Sequence, residues 1–310
     1  MKRYLVTGGA GFIGSHIVKA LVKKKCWVRV LDNFSSGSKD NLKEVLDKIE
    51  LLPQDIRSEE ACLKAAKGVD FILHQAALRS VPKSFLNPEE YNRVNIDGTL
   101  NLLKAAVKNK VKVFVFASSS SVYGDIHHFP EKEDFCPQPI SPYALTKLVG
   151  EYYCRIFSNN YNLSCVSLRY FNVFGPNQAL DDEYAVVIPK FISRLLKNRP
   201  PPIYGSGRQS RDFTYVDDVV EANMLACQMR NSQGEVFNIG CGKSHNILTL
   251  LEILNKIMGK EIRPVFLPKR PGDVFKTQAD ISKARKVLGF RPKTDFIKGL
   301  RLTVEYFKNA

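Results

Sequence analysis

Tyr4-Leu5-Val6-Thr7-Gly8-Gly9-Ala10-Gly11-Phe12-Ile13-Gly14-Ser15-His16 is the stretch whose reading decides the fold. Tyr4–Thr7 is a short β-favouring run, residues from about 12 to 24 carry helical spacing, and glycines at 8, 11 and 14 punctuate the join. Small residues there permit a tight turn and let a pyrophosphate approach the helix N-terminus, where the dipole and free N–H groups favour negative charge. Val28–Leu31 reads as a second strand, and Asp32 ends it, 18 residues after Gly14. A carboxylate in that place hydrogen-bonds the adenosine ribose hydroxyls and repels a 2′-phosphate, so the expected cofactor is NAD rather than NADP.

Further along, Glu50–Leu52, Phe71–His74 and Val113–Ala117 continue the strands. A long helical stretch from about Pro88 to Asn109 falls between the last two. Residues 142–160 read as another helix, after Ser141-Pro142, and Cys165–Leu168 as a sixth strand. Val-, Ile-, Leu- and Phe-rich strands without alternation, separated by helices, indicate a parallel sheet covered on both faces. The expected class is therefore α/β, a doubly wound Rossmann sheet. Beyond about residue 170, loops dense in Pro and Gly appear at 174–177, 199–202 and 204–207, the texture of a smaller lobe carrying substrate contacts. The expected division is residues 1–169 plus about 212–239 for the cofactor domain, and about 170–211 plus 240–310 for a C-terminal α/β lobe.

The 310 residues fit one large α/β domain or two closely joined lobes. No apolar run approaches the roughly 20 residues that span a bilayer. The basic, then apolar, N-terminus is cut off by Thr7-Gly8-Gly9, too soon for a signal peptide, so a cytoplasmic location is expected. Seven cysteines form no CxxC pair and no zinc spacing, which suits reduced thiols, and no metal is expected. The net charge of +15 is spread along the chain, with Lys23-Lys24-Lys25 the only triple. A solvated surface that helps attract an anionic ligand explains it better than a nucleic-acid face.

Strand five runs into Ser118-Ser119-Ser120-Ser121-Val122-Tyr123-Gly124, and Tyr143-Ala144-Leu145-Thr146-Lys147 follows. Tyr143 and Lys147, four apart, project from one helix face. A tyrosine hydroxyl near pKa about 10 is a poor base at neutral pH. An adjacent ammonium and a positive nicotinamide ring favour its phenolate and make it useful. A hydroxyl from Ser119 can hold the reacting alcohol.

These segments together resemble the extended short-chain dehydrogenase/reductases, specifically the UDP-sugar 4-epimerases, over essentially the whole chain. TGGAGFIGSH at 7–16, DNFSSG at 32–37, HQAALRSVPKS at 74–84 and SSSSVYGD at 118–125 carry the likeness. SPYALTK at 141–147, LRYFNVFGPNQ at 168–178, RDFTYVDDV at 211–219 and RPGD at 270–273 complete it. The resemblance implies cofactor contacts at Gly8, Gly11, Phe12, Ile13 and Gly14, then at Asp32, Asn33, Ser35, Ser36 and Gly37. It places Asp55 and Ile56 at the adenine, Gln75, Ala76, Ala77 and Asn95 along the ribose and phosphate path, and Phe171 on the nicotinamide side. Ser119, Tyr143 and Lys147 match the catalytic set, and Ser120 and Ser121 lie near enough to touch substrate. In the second lobe Asn172 matches a diphosphate contact and Val187 and Lys190 fall in the matching segment. Tyr204 approaches the uridine, Arg211 and Arg270 neutralise the diphosphate, and Asp273 accepts from the uridine ribose. Arg79 stands where relatives carry lysine or glycine, and reads as an NAD-phosphate contact, a reader of a substrate carboxylate or a plain loop arginine. Thr277, four beyond Asp273, falls where a tyrosine leaves room for only a 2-hydroxyl, so a threonine implies room for an acetamido group.

The implied reaction is NAD-dependent inversion at C4 of a UDP-hexose through a 4-keto sugar. UDP-Glc and UDP-Gal are interconverted, and UDP-GlcNAc and UDP-GalNAc are tolerated alongside them. The implied assembly is a homodimer through helices 88–109 and 142–160. Rival readings are a UDP-uronic acid epimerase, a decarboxylase or dehydratase working from the same 4-keto sugar, and a non-catalytic NAD(H)-responsive regulator. The dehydratases use an Asp-Glu pair where this chain has Ser120 and Ser121, and the decarboxylases need a Glu there.

Overall fold

The computed structural model describes residues 1–179, 186–270 and 272–309. Part of the 168–191 segment and Pro271 of the RPGD motif lie outside the described residues. The chain opens β1 (Arg3–Thr7), α1 (Phe12–Lys23), β2 (Trp27–Leu31), β3 (Glu50–Leu52), α2 (Glu59–Ala66) and β4 (Phe71–His74). It continues α3 (Val81–Leu86), α4 (Pro88–Tyr91), α5 (Gly98–Lys108), β5 (Val113–Ser119), α6 (Pro142–Tyr161) and β6 (Ser164–Tyr170). The rest is β7 (Val173–Phe174), α7 (Val187–Leu196), β8 (Pro202–Tyr204), β9 (Ser210–Asp212), β10 (Thr214–Tyr215), α8 (Val216–Ala226) and β11 (Gln233–Ile239). β12 (Ser244–Asn246), α9 (Ile247–Met258), β13 (Val265–Leu267) and α10 (Phe296–Lys308) end it.

Seven strands form one sheet in the order β11-β6-β5-β4-β1-β2-β3, every pairing parallel. This is the doubly wound fold expected from the sequence. Strand order reverses between β1 and β4, and the crevice beyond the carboxyl ends of such strands is where ligands bind. One face is buried with Ile17, Val18 and Leu21 of α1 and Val219 and Ala222 of α8. The other is covered by Cys62 and Ala65 of α2, Leu102 and Leu103 of α5 and Cys154 and Phe157 of α6. Burial on both faces is why these strands show no polar alternation.

The structure departs from the sequence reading in several places. Strand β6 runs two residues further, to Tyr170, and β11 has no counterpart in that reading. Its Gln233-Gly234-Glu235 start has a register shift and looks like a loop. The expected 88–109 helix is interrupted at Asn92–Asp97 by a π-helical turn, a form often found at functional sites. Finally, Ala284, Leu288 and Phe290 return to the core of the large sheet, although they fall in the segment assigned to the second lobe.

The second lobe is held by α7, α9 and α10 around Phe174, Phe213 and Phe296, with the last two rings stacked at 5.3 Å. Among the described residues its strands pair in twos, β7 with β10, β8 with β13 and β9 with β12. Among the described residues no helix is long and apolar enough to cross a membrane.

Candidate active site

A cleft of about 480 Å³ lies between the carboxyl end of the sheet and the second lobe. Phe12 and Ile13 line it from the first turn of α1. That turn starts at Gly11, with no side chain capping the helix N-terminus and no acidic residue in the turn. Its amides are left for an anion, which the helix dipole also favours. Gly8, at φ +66°, lets the chain leave β1, and its N–H donates to Leu31 O at 2.9 Å. A Cβ on Gly14 would stand 2.1 Å from Gly8 O, so helix and turn meet at a distance that admits no side chain.

Asp32 at the end of β2 is buried, accepting from Ala10 N at 2.9 Å and Phe34 N at 2.8 Å. Each oxygen keeps a lone pair, so the carboxylate can serve two hydroxyls while still fixing the turn. Asn33 bonds Asp55 at 2.7 Å, and Ser35 N donates to Asn33 Oδ1. Ser36 is exposed, and Gly37 lies against the Ala10 carbonyl. These residues fit a dinucleotide.

Three predicted cofactor residues have side chains that are engaged within the fold. Ile56 is buried in the core, and its side chain packs where a Cβ on Gly98 would sit. Phe171 is fully buried against Tyr123, and Tyr170 lines the cleft in its place. Asn95, in the π turn, accepts from Leu78 N and donates to Leu78 O and Thr146 Oγ1, so its amide is committed to holding the loop after β4. On the same loop Ala76 N donates to Thr7 Oγ1, and Gln75 joins the hydroxyl of Tyr170 and the amide of Asn223. Ala77 follows, half-buried.

The catalytic set is brought together by two local devices. The Ser141 hydroxyl accepts from Ala144 N and caps α6, with Pro142 at its first position, so Tyr143 and Lys147 fall on successive turns. Strand β5 carries Ser119 to the same place, and Ser119, Ser120, Ser121 and Tyr143 all line the cleft. Ser119 Oγ accepts from Ser121 N at 3.2 Å and Ser121 Oγ at 2.9 Å. Its own hydrogen is left for Tyr143, with which it hydrogen-bonds. Burial pushes the Tyr143 hydroxyl above the ordinary tyrosine range, while the Ser119 bond and the Arg79 charge pull it back. Lys147 Nζ donates to Ala117 O at 2.8 Å and stands 5.9 Å from the centre of the Tyr143 ring. Burial lowers its pKa to about 8.

Sequence reasoning missed the brace beneath this group. Glu151, one turn beyond Lys147, takes both Nε (2.9 Å) and Nη2 (2.7 Å) of Arg169, and Ser118 Oγ donates to it as well. All three are buried, so α6 is locked to β5 and β6 directly behind Ser119. The signal was in the sequence, a glutamate four residues beyond Lys147 on the same helix face.

Across the cleft stand Val187, Lys190, Tyr204, Arg211, Arg270, Asp273 and Thr277. The Arg270 guanidinium lies 3.6 Å from the centre of the Tyr204 ring, and Lys190 Nζ is 5.6 Å from the same ring. Arg211 pairs with Asp273 and also donates to the carbonyls of Ser210 and Phe275. The diphosphate role expected of Asn172 meets an obstacle. Its Nδ2 donates to Asp212 O and Thr277 Oγ1, both at 3.0 Å, so both amide hydrogens are committed within the lobe. Thr277 also accepts from Asp212 N at 3.2 Å and lies outside any strand.

A sequence profile described as the NAD dependent epimerase/dehydratase family matches residues 4–240. The UDP-glucose 4-epimerase of Mycolicibacterium smegmatis is 38% identical over 311 residues, 99% of each chain. Among solved structures, the UDP-N-acetylglucosamine 4-epimerase of Methanobrevibacter ruminantium, in complex with UDP-N-acetylmuramic acid, superposes with a TM-score of 0.94. It is 42% identical and covers 99% of this chain and 98% of its own. The UDP-glucuronic acid 4-epimerase of Bacillus cereus, with UDP-glucuronic acid and NAD, gives 0.92 at 36% identity over 99% of both chains.

Proposed function

The chain belongs to the NAD dependent epimerase/dehydratase family, and from that premise we propose that it is a UDP-hexose 4-epimerase with NAD as its resident cofactor. One observation carries this reading: Ser119 and Tyr143 open into the same cleft as Arg211 and Arg270. A general base thus faces a site suited to a diphosphate. Bound NAD supplies a reversible hydride acceptor and donor beside the base. Tyr143, as phenolate, takes the proton from the sugar O4 hydroxyl and returns it. Ser119 holds that oxygen, and Lys147 supplies positive charge from beneath the ring. Ser120 and Ser121 stand where a dehydratase needs an acid–base pair, and neither hydroxyl suits elimination at C5–C6.

Arg211 and Arg270 are the proposed diphosphate pair, since charged hydrogen bonds to phosphate are the strong kind. Ligand entry would draw Arg211 from Asp273, freeing that carboxylate to accept from the uridine ribose. Replacing either arginine with alanine is expected to weaken binding by about 1.5–3 kcal/mol, roughly ten- to a hundredfold. Titration of each variant with UDP checks this, and unchanged affinity in both removes the role.

The proposed sugar range is UDP-Glc/UDP-Gal together with UDP-GlcNAc/UDP-GalNAc. Support comes from Thr277, a small wall residue held against Asn172 and Asp212 and so unable to swing into the cleft. Incubation with UDP-Glc and UDP-GlcNAc, products read by NMR, tests the activity and the range together. Thr277→Tyr is expected to cut kcat/KM for UDP-GlcNAc far more than for UDP-Glc, because filling packed space costs about 1–3 kcal/mol. Equal loss of both substrates, or a wild type that ignores UDP-GlcNAc, contradicts the pocket argument.

A further inference from the structure

The two sides of the cleft touch each other at one end, and the scheme above makes no use of that contact. Ser80, Val81 and Pro82 line the cleft from one side, and Gly272 and Asp273 from the other. A Cβ on Gly272 would stand 3.1 Å from Val81 Cγ1 and 3.2 Å from Phe85 Cε2, so the backbone there lies directly on α3. Gly272 also has φ +74°, the left-handed region that glycine enters without strain. A side chain at this position would strain the 272–275 segment and lift it off α3. Phe85 is not among the residues that line the cleft, and it is 46% exposed although its ring edge meets the glycine.

Both partners are held from behind. The Ser80 hydroxyl accepts from Lys83 N at 3.3 Å and caps α3, with Pro82 in its first turn. The Tyr91 hydroxyl bonds both backbone groups of Ser80, at 3.1 and 2.7 Å. On the opposite side Phe275 N donates to Asp125 at 3.2 Å, and Phe275 O accepts from Ser210 N at 3.0 Å. Asp273, within the same segment, pairs with Arg211. Tyr91 also fixes where along the cleft the contact falls. Its ring meets the Tyr143 ring edge-on, with centroids 6.5 Å apart. The side chain that anchors the start of α3 is thus a neighbour of the proposed base, and the two sides meet at the end of the cleft where the sugar reacts.

The proposed reaction makes a demand that such a contact meets. Once Tyr143 holds the O4 proton and the hydride has left C4, the sugar is a ketone that has to turn over without leaving. Each ketone lost would strand one hydride on the protein with no acceptor for it. We propose that Gly272, seated on Val81 and Phe85, is the closure that keeps the 4-keto sugar in the cleft while it turns. Phe85 acts through the 272–275 segment and not on the ligand. The closure rests on the epimerase reading for the identity of the ketone, and on the contact between α3 and Gly272 for its place.

Phe85→Ala tests this, because it removes the ring beneath Gly272 and leaves every cleft-lining side chain in place. With NAD-loaded protein and UDP-Glc, initial kcat is expected to stay near the wild-type value. Ketone released to the medium, trapped as its oxime with hydroxylamine and read by mass spectrometry, is expected to rise about tenfold, as loss of a half-buried phenyl contact implies. Reduced nicotinamide left on the protein should match that ketone one for one, and activity should decay as turnovers accumulate. UDP should dissociate faster by a similar factor, since the 272–275 segment carries Asp273. Phe85→Leu should restore most of the retention, and Gly272→Ala should leak as Phe85→Ala does. Wild-type ketone release and wild-type UDP dissociation in Phe85→Ala overturn the proposal and make the contact surface packing. A fall in kcat without released ketone overturns it too, since the contact would then position the reacting groups. If the wild type does not turn over UDP-sugars, the epimerase reading fails by itself. UDP dissociation then decides the closure, a faster rate in Phe85→Ala supporting it and an unchanged rate overturning it.

Discussion

Tyr143→Phe is expected to lower kcat by about 10²–10⁴-fold, the usual contribution of a general base. NAD content should stay nearly unchanged. The substitution removes one oxygen and keeps the ring, so the edge-on contact with Tyr91 survives. Ser119 loses a partner but retains both bonds from Ser121. Lys147 is held by the Ala117 carbonyl and not by the tyrosine, so the cation stays where it is. Burial of the cofactor turn is untouched. What disappears is the group at this end of the cleft that, among the described residues, can become an oxyanion and take a proton. Steady-state kinetics with either UDP-sugar, together with assay of nucleotide released on denaturation, separates the two quantities. Near-wild-type turnover in the Phe protein would end the assignment, and loss of NAD would show that the tyrosine is structural as well.

Most of what positions this chemistry was legible in the sequence, for identifiable reasons. The glycine turn and Asp32 were readable because backbone geometry demands particular residues at particular spacings. Tyr143 and Lys147 were readable because helix periodicity puts positions four apart on one face. The parts that were not legible depend on what a side chain meets across the fold. Phe171 and Ile56 fall beside motif residues, yet their apolar side chains go to the core, where their burial is worth about 1.5–3 kcal/mol each. Asn95 lies in a helix whose π turn no local propensity announces, and only the folded loop shows its amide consumed by Leu78. The Ser118–Glu151–Arg169 brace joins three elements far apart in sequence, and strand register alone sets Ser118 beside Arg169. The second lobe was the least legible part. Its strands are two or three residues long, too short for a periodic signal.

Gly14→Ala is expected to strip the protein of NAD, and Gly11→Ala to do so far less. The two glycines look equivalent in the motif, and only their surroundings separate them. A Cβ on Gly11 would meet the Gly8 carbonyl at 3.2 Å, a tight contact that a few tenths of an ångström relieves, and Gly11 has ordinary extended backbone angles. On Gly14 the same atom would stand 2.1 Å from the Gly8 oxygen and 2.8 Å from both Gly8 C and Gly9 Cα. Backbone must move. The Gly8 carbonyl accepts from Gly11 N at 3.1 Å and the Gly8 amide donates to Leu31 O at 2.9 Å, so displacing this residue pulls the turn away from both α1 and β2. Overpacking of this kind costs about 3 kcal/mol, at the top of the usual range, which is roughly a hundredfold in affinity if it falls on the bound state. Purified wild type should release NAD on denaturation, Gly11→Ala somewhat less, and Gly14→Ala almost none. Reconstitution titrations should rank the three in the same order. The thermal midpoint of nucleotide-free protein checks whether Gly14→Ala still folds. Equal NAD content in all three proteins would mean that the turn is not the pyrophosphate cradle. Release of NADP in place of NAD would leave the cradle standing and remove the argument from Asp32.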